Sequence, residues 1–303
     1  MDGEPAYVRL LRSGELKERV REAYRRLEAC DLCPRACRVN RRQGFTGVCR
    51  TGEHARVASY HPHFGEEAPL VGHGGSGTIF FSWCNLQCQY CQNDELSQLG
   101  EGEDVGPEEL AAMMLHLQGM GCHNINLVSP SHVVPQILAG LLIAAQAGLR
   151  LPLVYNTGGY DALATLALLD GVIDIYMPDM KYADEAIARR LSQVDGYPAA
   201  NRVAVAEMHR QVGDLQIDKR GIAVRGLLVR HLVLPGGLAG TEETVRWLAS
   251  EVSPDTYINI MDQYRPCYRA AEFPEINRRL TRAEYDRAMR AAKEAGLRRF
   301  ARG

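Results

Sequence analysis

Three cysteines within eight residues, Cys84, Cys88 and Cys91, follow directly on the apolar run Thr78-Ile79-Phe80-Phe81-Ser82-Trp83. That run reads as a buried strand, so the thiols fall in a tight loop at its end. Such a loop can direct three sulfurs at one point. Soft thiolates select zinc, copper(I) or iron–sulfur centres, and a set of three lacks the fourth ligand of a closed structural zinc site. The spacing points to a metal centre with an open coordination position. Buried core cysteines and a redox pair are the plainer alternatives, but packing alone rarely puts three cysteines so close together after a strand.

A second group lies upstream. Cys30, Cys33, Cys37 and Cys49 occur as C-x2-C-x3-C-x11-C, with a Gly44-Phe45-Thr46-Gly47 turn inside. Four thiols within twenty residues fit a tetrathiolate site for zinc or a second iron–sulfur cluster. The spacing matches neither a zinc ribbon nor a bacterial ferredoxin, so the metal stays open. His54, His61, His63 and His73 lie nearby, but four cysteines already complete a tetrahedral set, and ordinary hydrogen-bonded histidines are expected.

The pattern C-x3-C-x2-C, with Tyr90 before the last cysteine, resembles the signature of the radical S-adenosylmethionine enzymes. The resemblance implies a four-iron four-sulfur cluster on Cys84, Cys88 and Cys91, its fourth iron chelated by S-adenosylmethionine. In that family one electron from the cluster cleaves the sulfonium, and the resulting 5′-deoxyadenosyl radical abstracts hydrogen from a substrate. Asp179-Met180-Lys181 is similar to the cofactor-contacting pair of the pyruvate formate-lyase activating enzyme branch, and the segment around Arg230, Leu228 to Gly236, resembles that branch's fifth strand. Tyr90 would shield the adenine. The branch also implies a glycine of a glycyl-radical partner enzyme as substrate and a reductant such as flavodoxin or ferredoxin. Two segments depart from it. Asn126 to His132 replaces a Gly-Gly-Glu-like stretch, and Gln263-Tyr264 stands where a histidine is common. The same radical directed at a small molecule or at another protein modification is therefore a second expectation. A third is a non-catalytic electron carrier or zinc scaffold.

These residues need elements to hold them. From residue 78 onward, strand-like runs at 78–83, 124–129, 152–156, 172–178, 226–234 and 256–261 alternate with helical patterns at 107–119, 133–147, 161–169, 183–193, 199–212 and 241–250. Strict alternation predicts right-handed crossovers and a parallel sheet, an α/β partial (β/α)6 TIM-like barrel with a last helix near 282–295 packed outside it. Residues 1–77 are expected to form a helical, cysteine-rich extension and residues 78–303 the barrel. Its glycine-rich end, Gly72 to Gly77, reads as a flexible approach to the first strand.

Active sites of parallel α/β folds gather at the carboxyl ends of the strands. That rule singles out Gln92 and Asn93, then Asn126, Ser129, Ser131 and His132, then Asn156, Thr157, Gly158 and Gly159. It also singles out Asp179 with Lys181, Arg230 or His231, and Asp262, Gln263 and Tyr264. Tyr90, Asn126, Ser129, Asn156, Asp179, Lys181 and Arg230 are the expected cofactor contacts.

Composition narrows the rest. The chain has 303 residues, enough for one large domain, and a formal net charge of −2 that leaves no basic footprint for nucleic acid. Seven of nine cysteines sit in the two groups, a pattern of metal sites rather than disulfides. With no apolar run near membrane length and no signal-like start, a reducing cytoplasm is expected and no membrane partner.

Overall fold

The computed structural model describes residues 4–301. Among the described residues ten strands form one open sheet: β1 (Ala55–His63), β2 (Ser76–Phe81), β3 (Glu103–Val105), β4 (Ile125–Val128), β5 (Leu153–Thr157), β6 (Ile175–Pro178), β7 (Gln216–Ile217), β8 (Ala223–Leu232), β9 (Tyr257–Met261) and β10 (Arg299–Phe300). Their order is β10-β9-β8-β6-β5-β4-β2-β1-β3, with β7 pairing to β8. Neighbours from β2 to β9 run parallel, and these six strands are the expected barrel units. The helices between them match the periodic segments closely, Pro107–Gly119 and Val134–Gln146 among them.

The central strands bury both faces, which explains their nearly continuous apolar runs. Alternation then sorts the side chains. Ile125, Leu127, Tyr155, Tyr176, Leu227, Val229, Ile258 and Ile260 pack in the main core under the helices. Val154, Ile175, Met177 and Leu228 belong to a separate cluster on the concave face. The outer helix Val134–Gln146 is itself covered by Glu15–Arg25 of the amino-terminal segment, so it is buried along most of its length.

The segment before the first parallel strand differs from expectation. It is a nine-residue strand, β1, antiparallel to β2, so the boundary expected at residue 77 falls within one sheet. Gly75 and the following residues are held by backbone bonds such as Gly75 N–H to Val71 O (2.8 Å). Between β1 and β2, residues 64–75 turn across the amino-terminal mouth of the barrel, and Leu70 plugs it among Val154, Ile175, Met177 and Leu228. Among the described residues no helix is long and apolar enough to cross a membrane.

Candidate functional site

The cysteine loop leaves the carboxyl end of β2 abruptly. Trp83 adopts a left-handed backbone (φ 66°), and the Arg50 guanidinium lies over its ring at 5.0 Å. Each sulfur then meets a polar group. The Leu86 N–H points at Cys84 Sγ (3.4 Å), the Ser192 hydroxyl donates to Cys88 Sγ (3.0 Å), and Ser97 Oγ lies 3.1 Å from Cys91 Sγ. Burial, and then Cys88 and Cys91, push Cys84 up to about 12. Cys91 is raised by the same causes, burial first and then Cys88. As free thiols Cys84 and Cys91 would stay protonated, which suits neither a nucleophile nor a redox pair; a metal cation beside them would hold them as thiolates.

Behind the loop stands an aromatic wall. Tyr90 is buried, edge-on to Tyr182 and Tyr264. Its hydroxyl lies 2.6 Å from that of Tyr182, which lies 2.6 Å from Ser192 Oγ. A hydroxyl chain therefore runs from Tyr90 to the Cys88 sulfur.

Below the loop, alternation brings Asn126, Asn156, Asp179, Arg230 and Asn259 onto the concave face. Asp179 is the hinge of the set, with Lys181 Nζ at 2.6 Å and Arg230 Nη2 at 2.9 Å. Arg230 also donates to Asn156 Oδ1 (2.8 Å) and faces Glu66 at 3.5 Å. Burial works to raise the Asp179 carboxyl, but Arg230 and Lys181 overcome it and hold the group below its ordinary value. For Lys181, burial works to lower the ammonium; Asp179 and then Cys88 outweigh it, so the group stays charged. Lys181 also acts electrostatically on Cys84 and Cys91, which puts the cation beside the cysteine loop.

The backbone of this corner is tied down from behind. The Tyr197 hydroxyl accepts from Lys181 N–H (3.0 Å) and donates to Gly158 O (2.8 Å). Asn201 Nδ2 donates to Gly159 O and Asp179 O. Gly159 needs its glycine: φ is +74°, and a Cβ would lie 2.2 Å from Asp179 O. Gly158 packs on Leu86 of the cysteine loop. These glycines permit chain-to-chain approach.

The other expected rim residues divide. Ser129, in a left-handed conformation (φ 60°), ends β4 beside the rim. Ser131 and Thr157 bond each other, and Thr157 donates to buried Asp161. His231 faces away from Arg230, satisfied by Met180 O (2.6 Å) and Thr241 Oγ1 (2.8 Å). His132 lies under the upstream cysteines, its Nε2 bonded to Ser82 O (3.0 Å). Asp262, Gln263, Gln92 and Asn93 are exposed, and Tyr264 is in the aromatic wall.

Sequence reasoning missed two carboxylates. Glu66 and Glu67, in the turn between β1 and β2, reach into the barrel. Glu66 Oε2 accepts from Asn126 (2.9 Å) and Asn156 (3.1 Å), and Glu67 Oε1 accepts from Asn259 (2.8 Å). Burial raises the Glu67 carboxyl above its ordinary value, against the pull of Asn259 and Arg230. Ser192, on the helix Glu185–Ser192, was missed as well. The one signal for Glu66 and Glu67 was a pair of acids placed between a β-rich run and the first strand.

No family model matches this sequence. The uncharacterized protein MJ0674 of Methanocaldococcus jannaschii is 31% identical over 275 residues, 88% of this chain and 75% of that protein. The chain belongs to the MJ0674 family.

Among solved structures, Streptococcus suis SuiB bound to S-adenosylmethionine superposes with a TM-score of 0.50 at 11% identity, covering 75% of this chain and 52% of that one. A radical S-adenosylmethionine methyltransferase from Sphaerobacter thermophilus superposes at 0.46, with 14% identity over 75% of this chain and 67% of that one. This MJ0674-family chain thus spans about half the length of SuiB, and the likeness is one of fold: an open, largely parallel sheet wound with helices.

The residues present fit a cluster with a nucleoside ligand. The three sulfurs have donors, Lys181 stands beside them, and Asn126 Oδ1 is a buried acceptor without a partner. Among the described residues, no three His, Cys, Asp or Glu side chains close on a single ion. Cluster thiolates bind separate irons and need no such closure.

Proposed function

We propose that this protein is a radical S-adenosylmethionine enzyme. The observation that carries the reading is the convergence of the Cys84, Cys88 and Cys91 loop with the Asp179, Lys181 and Arg230 corner at the carboxyl ends of parallel strands. In this reading Cys84, Cys88 and Cys91 hold a four-iron four-sulfur cluster beside bound S-adenosylmethionine, which together supply a 5′-deoxyadenosyl radical.

The chain's own residues then have distinct tasks. Ser192, Ser97 and the Leu86 N–H orient the thiolates, and the Tyr90 and Tyr182 hydroxyls fix Ser192. The aromatic wall keeps water from the loop. Lys181 offsets the negative charge of the thiolates. Asp179, holding two cations, orients Lys181 and Arg230 toward a ligand with carboxylate or ribose oxygens. Asn126, Ser129 and Asn156 line the same rim.

Two substrate readings follow. The similarity of Asp179-Met180-Lys181 and of the Arg230 segment to the activating enzymes supports abstraction from a glycine of a partner enzyme, with flavodoxin or ferredoxin as the electron source. The polar interior of Asn126, Asn156, Asn259, Glu66 and Glu67 supports a small polar substrate. For the shared chemistry, the test is anaerobic purification, reconstitution with iron and sulfide, and incubation with dithionite and S-adenosylmethionine. The expected product is 5′-deoxyadenosine, absent from a folded Cys84→Ala variant. Cleavage retained by that variant would overturn the reading. A glycyl radical seen by electron paramagnetic resonance on a co-incubated partner selects the first substrate class. Deuterium transfer from a labelled small molecule selects the second.

A further inference from the structure

The amino-terminal cysteines enclose an unusual cation. Arg41 is 1% exposed, among the most buried large side chains of the chain. It lines one cavity with Cys30, Cys33, Cys37, Cys49, Asn85 and His132. Among the described residues Arg41 makes no ion pair. Its Nε donates to Gly52 O (3.0 Å), its Nη1 donates to His132 O (2.7 Å) and lies 3.9 Å from Cys30 Sγ, and its Nη2 has no partner. His132, also 1% exposed, leaves its Nδ1 unpartnered in the same wall.

A guanidinium cannot shed its proton to escape burial, and a buried charge without an opposite charge is strongly unfavourable. Two backbone carbonyls solvate Arg41 but do not neutralise it. Protonated thiols would not neutralise it either. Among the described residues no three His, Cys, Asp or Glu side chains close on a single ion, so the four sulfurs suit a four-iron cluster, and four thiolates around an oxidised one carry two surplus negative charges. That anion is the partner the cavity lacks.

We propose that Cys30, Cys33, Cys37 and Cys49 form a net-anionic tetrathiolate metal centre whose counter-ion is Arg41. Its place in the fold gives it a second effect. Arg35, between the second and third cysteines, donates to Asn85 O (2.6 Å) and Gln193 O (2.7 Å). Asn85 in turn lies 3.8 Å from Cys84 Sγ through its Oδ1 and donates to Tyr160 O (2.7 Å). One side chain separates the two cysteine groups, so ordering the upstream centre also orders the start of the Cys84 loop. The inference does not depend on the radical reading, because each cysteine set is assayed by itself.

The test uses the full chain with Cys84, Cys88 and Cys91 all replaced by Ala, expressed with zinc and iron both supplied and purified anaerobically. Metal and sulfide analysis then reports the upstream site alone. The expected result is retained iron with sulfide; zinc retained without sulfide would overturn the four-iron reading. Adding Arg41→Met to that background should weaken metal retention on the order of 10-fold or more. Arg41→Lys, which keeps the charge, should restore part of it. Arg42→Met, next in sequence but exposed and paired with Glu28, should change nothing. Far-UV circular dichroism of each variant separates metal loss from unfolding. A triple variant without metal, equal retention in Arg41→Met, or no recovery in a folded Arg41→Lys would overturn the proposal.

Discussion

Replacing Asp179 by Asn should lower folding stability by about 3 kcal/mol. The carboxylate is the shared anion of two cations, with Lys181 Nζ at 2.6 Å and Arg230 Nη2 at 2.9 Å. Side-chain exposure is only 15% for Asp179, 17% for Lys181 and 18% for Arg230. Asparagine keeps the shape and removes the charge, which leaves two like charges facing each other with little water. Removing one partner of a buried pair costs roughly 3–5 kcal/mol. The low end applies because the corner is not fully dry and Glu66 remains 3.5 Å from Arg230. For a chain of 303 residues the melting temperature should fall by roughly 5 °C. Scanning calorimetry at neutral pH reads this directly, and the double variant with Arg230→Met should recover part of the loss. Glu4→Gln is the control, since it breaks the exposed pair with Arg12 at 2.5 Å and should move the melting temperature hardly at all. If Asp179→Asn melts like the native protein, the corner is not a coupled buried network. The sign with pH is fixed too. A carboxyl held below its unfolded value contributes stability above about pH 4, lost as pH falls through the folded value.

Other outcomes follow from single contacts. Burial lowers His231 to about 4, so the unfolded chain takes up a proton that the folded one refuses as pH falls from about 6.5 to 4. Its contribution of roughly 3 kcal/mol is lost across that window, and His231→Gln should make that part of a pH series of melts shallower by about that amount. Asp174 runs the other way. Burial raises it to about 6, so stability is lost as pH rises from about 4 through 6, and Asp174→Asn should remove that dependence. Gly159→Ala should cost more than the roughly 1–2 kcal/mol of a left-handed alanine, because the new Cβ meets Asp179 O and Asn201 Nδ2 at 2.2 Å; chemical denaturation measures it. Ser192→Ala should leave the fold intact and reduce iron retained by the Cys84 loop after reconstitution, because Cys88 loses the hydroxyl at 3.0 Å.

What the sequence determined was whatever rests on local pattern. Apolar runs such as Leu153 to Thr157 separated by helical periodicity announced six parallel units, because strands buried on both faces must be apolar throughout. Cys84, Cys88 and Cys91 were legible because three thiols after a strand have few other uses. Alternation said that only one of Arg230 and His231 could line the barrel, and the fold gives that place to Arg230. The tertiary structure decided what depends on residues far apart in the chain. Asp179, Lys181 and Arg230 appeared as candidate ligand contacts, yet only the fold joins them into one network with Asn156 and Glu66. Glu66 and Glu67 looked like loop acids, since nothing local says that a turn crosses the mouth of a barrel and points inward. β1 was hidden because its buried alternation is limited to Ala55 and Val57, and the rest of the strand is exposed or half-buried. Arg41 looked like a surface arginine among others. Burial is a property of the whole packing, so a charge inside the protein becomes visible only when every segment that covers it is in place.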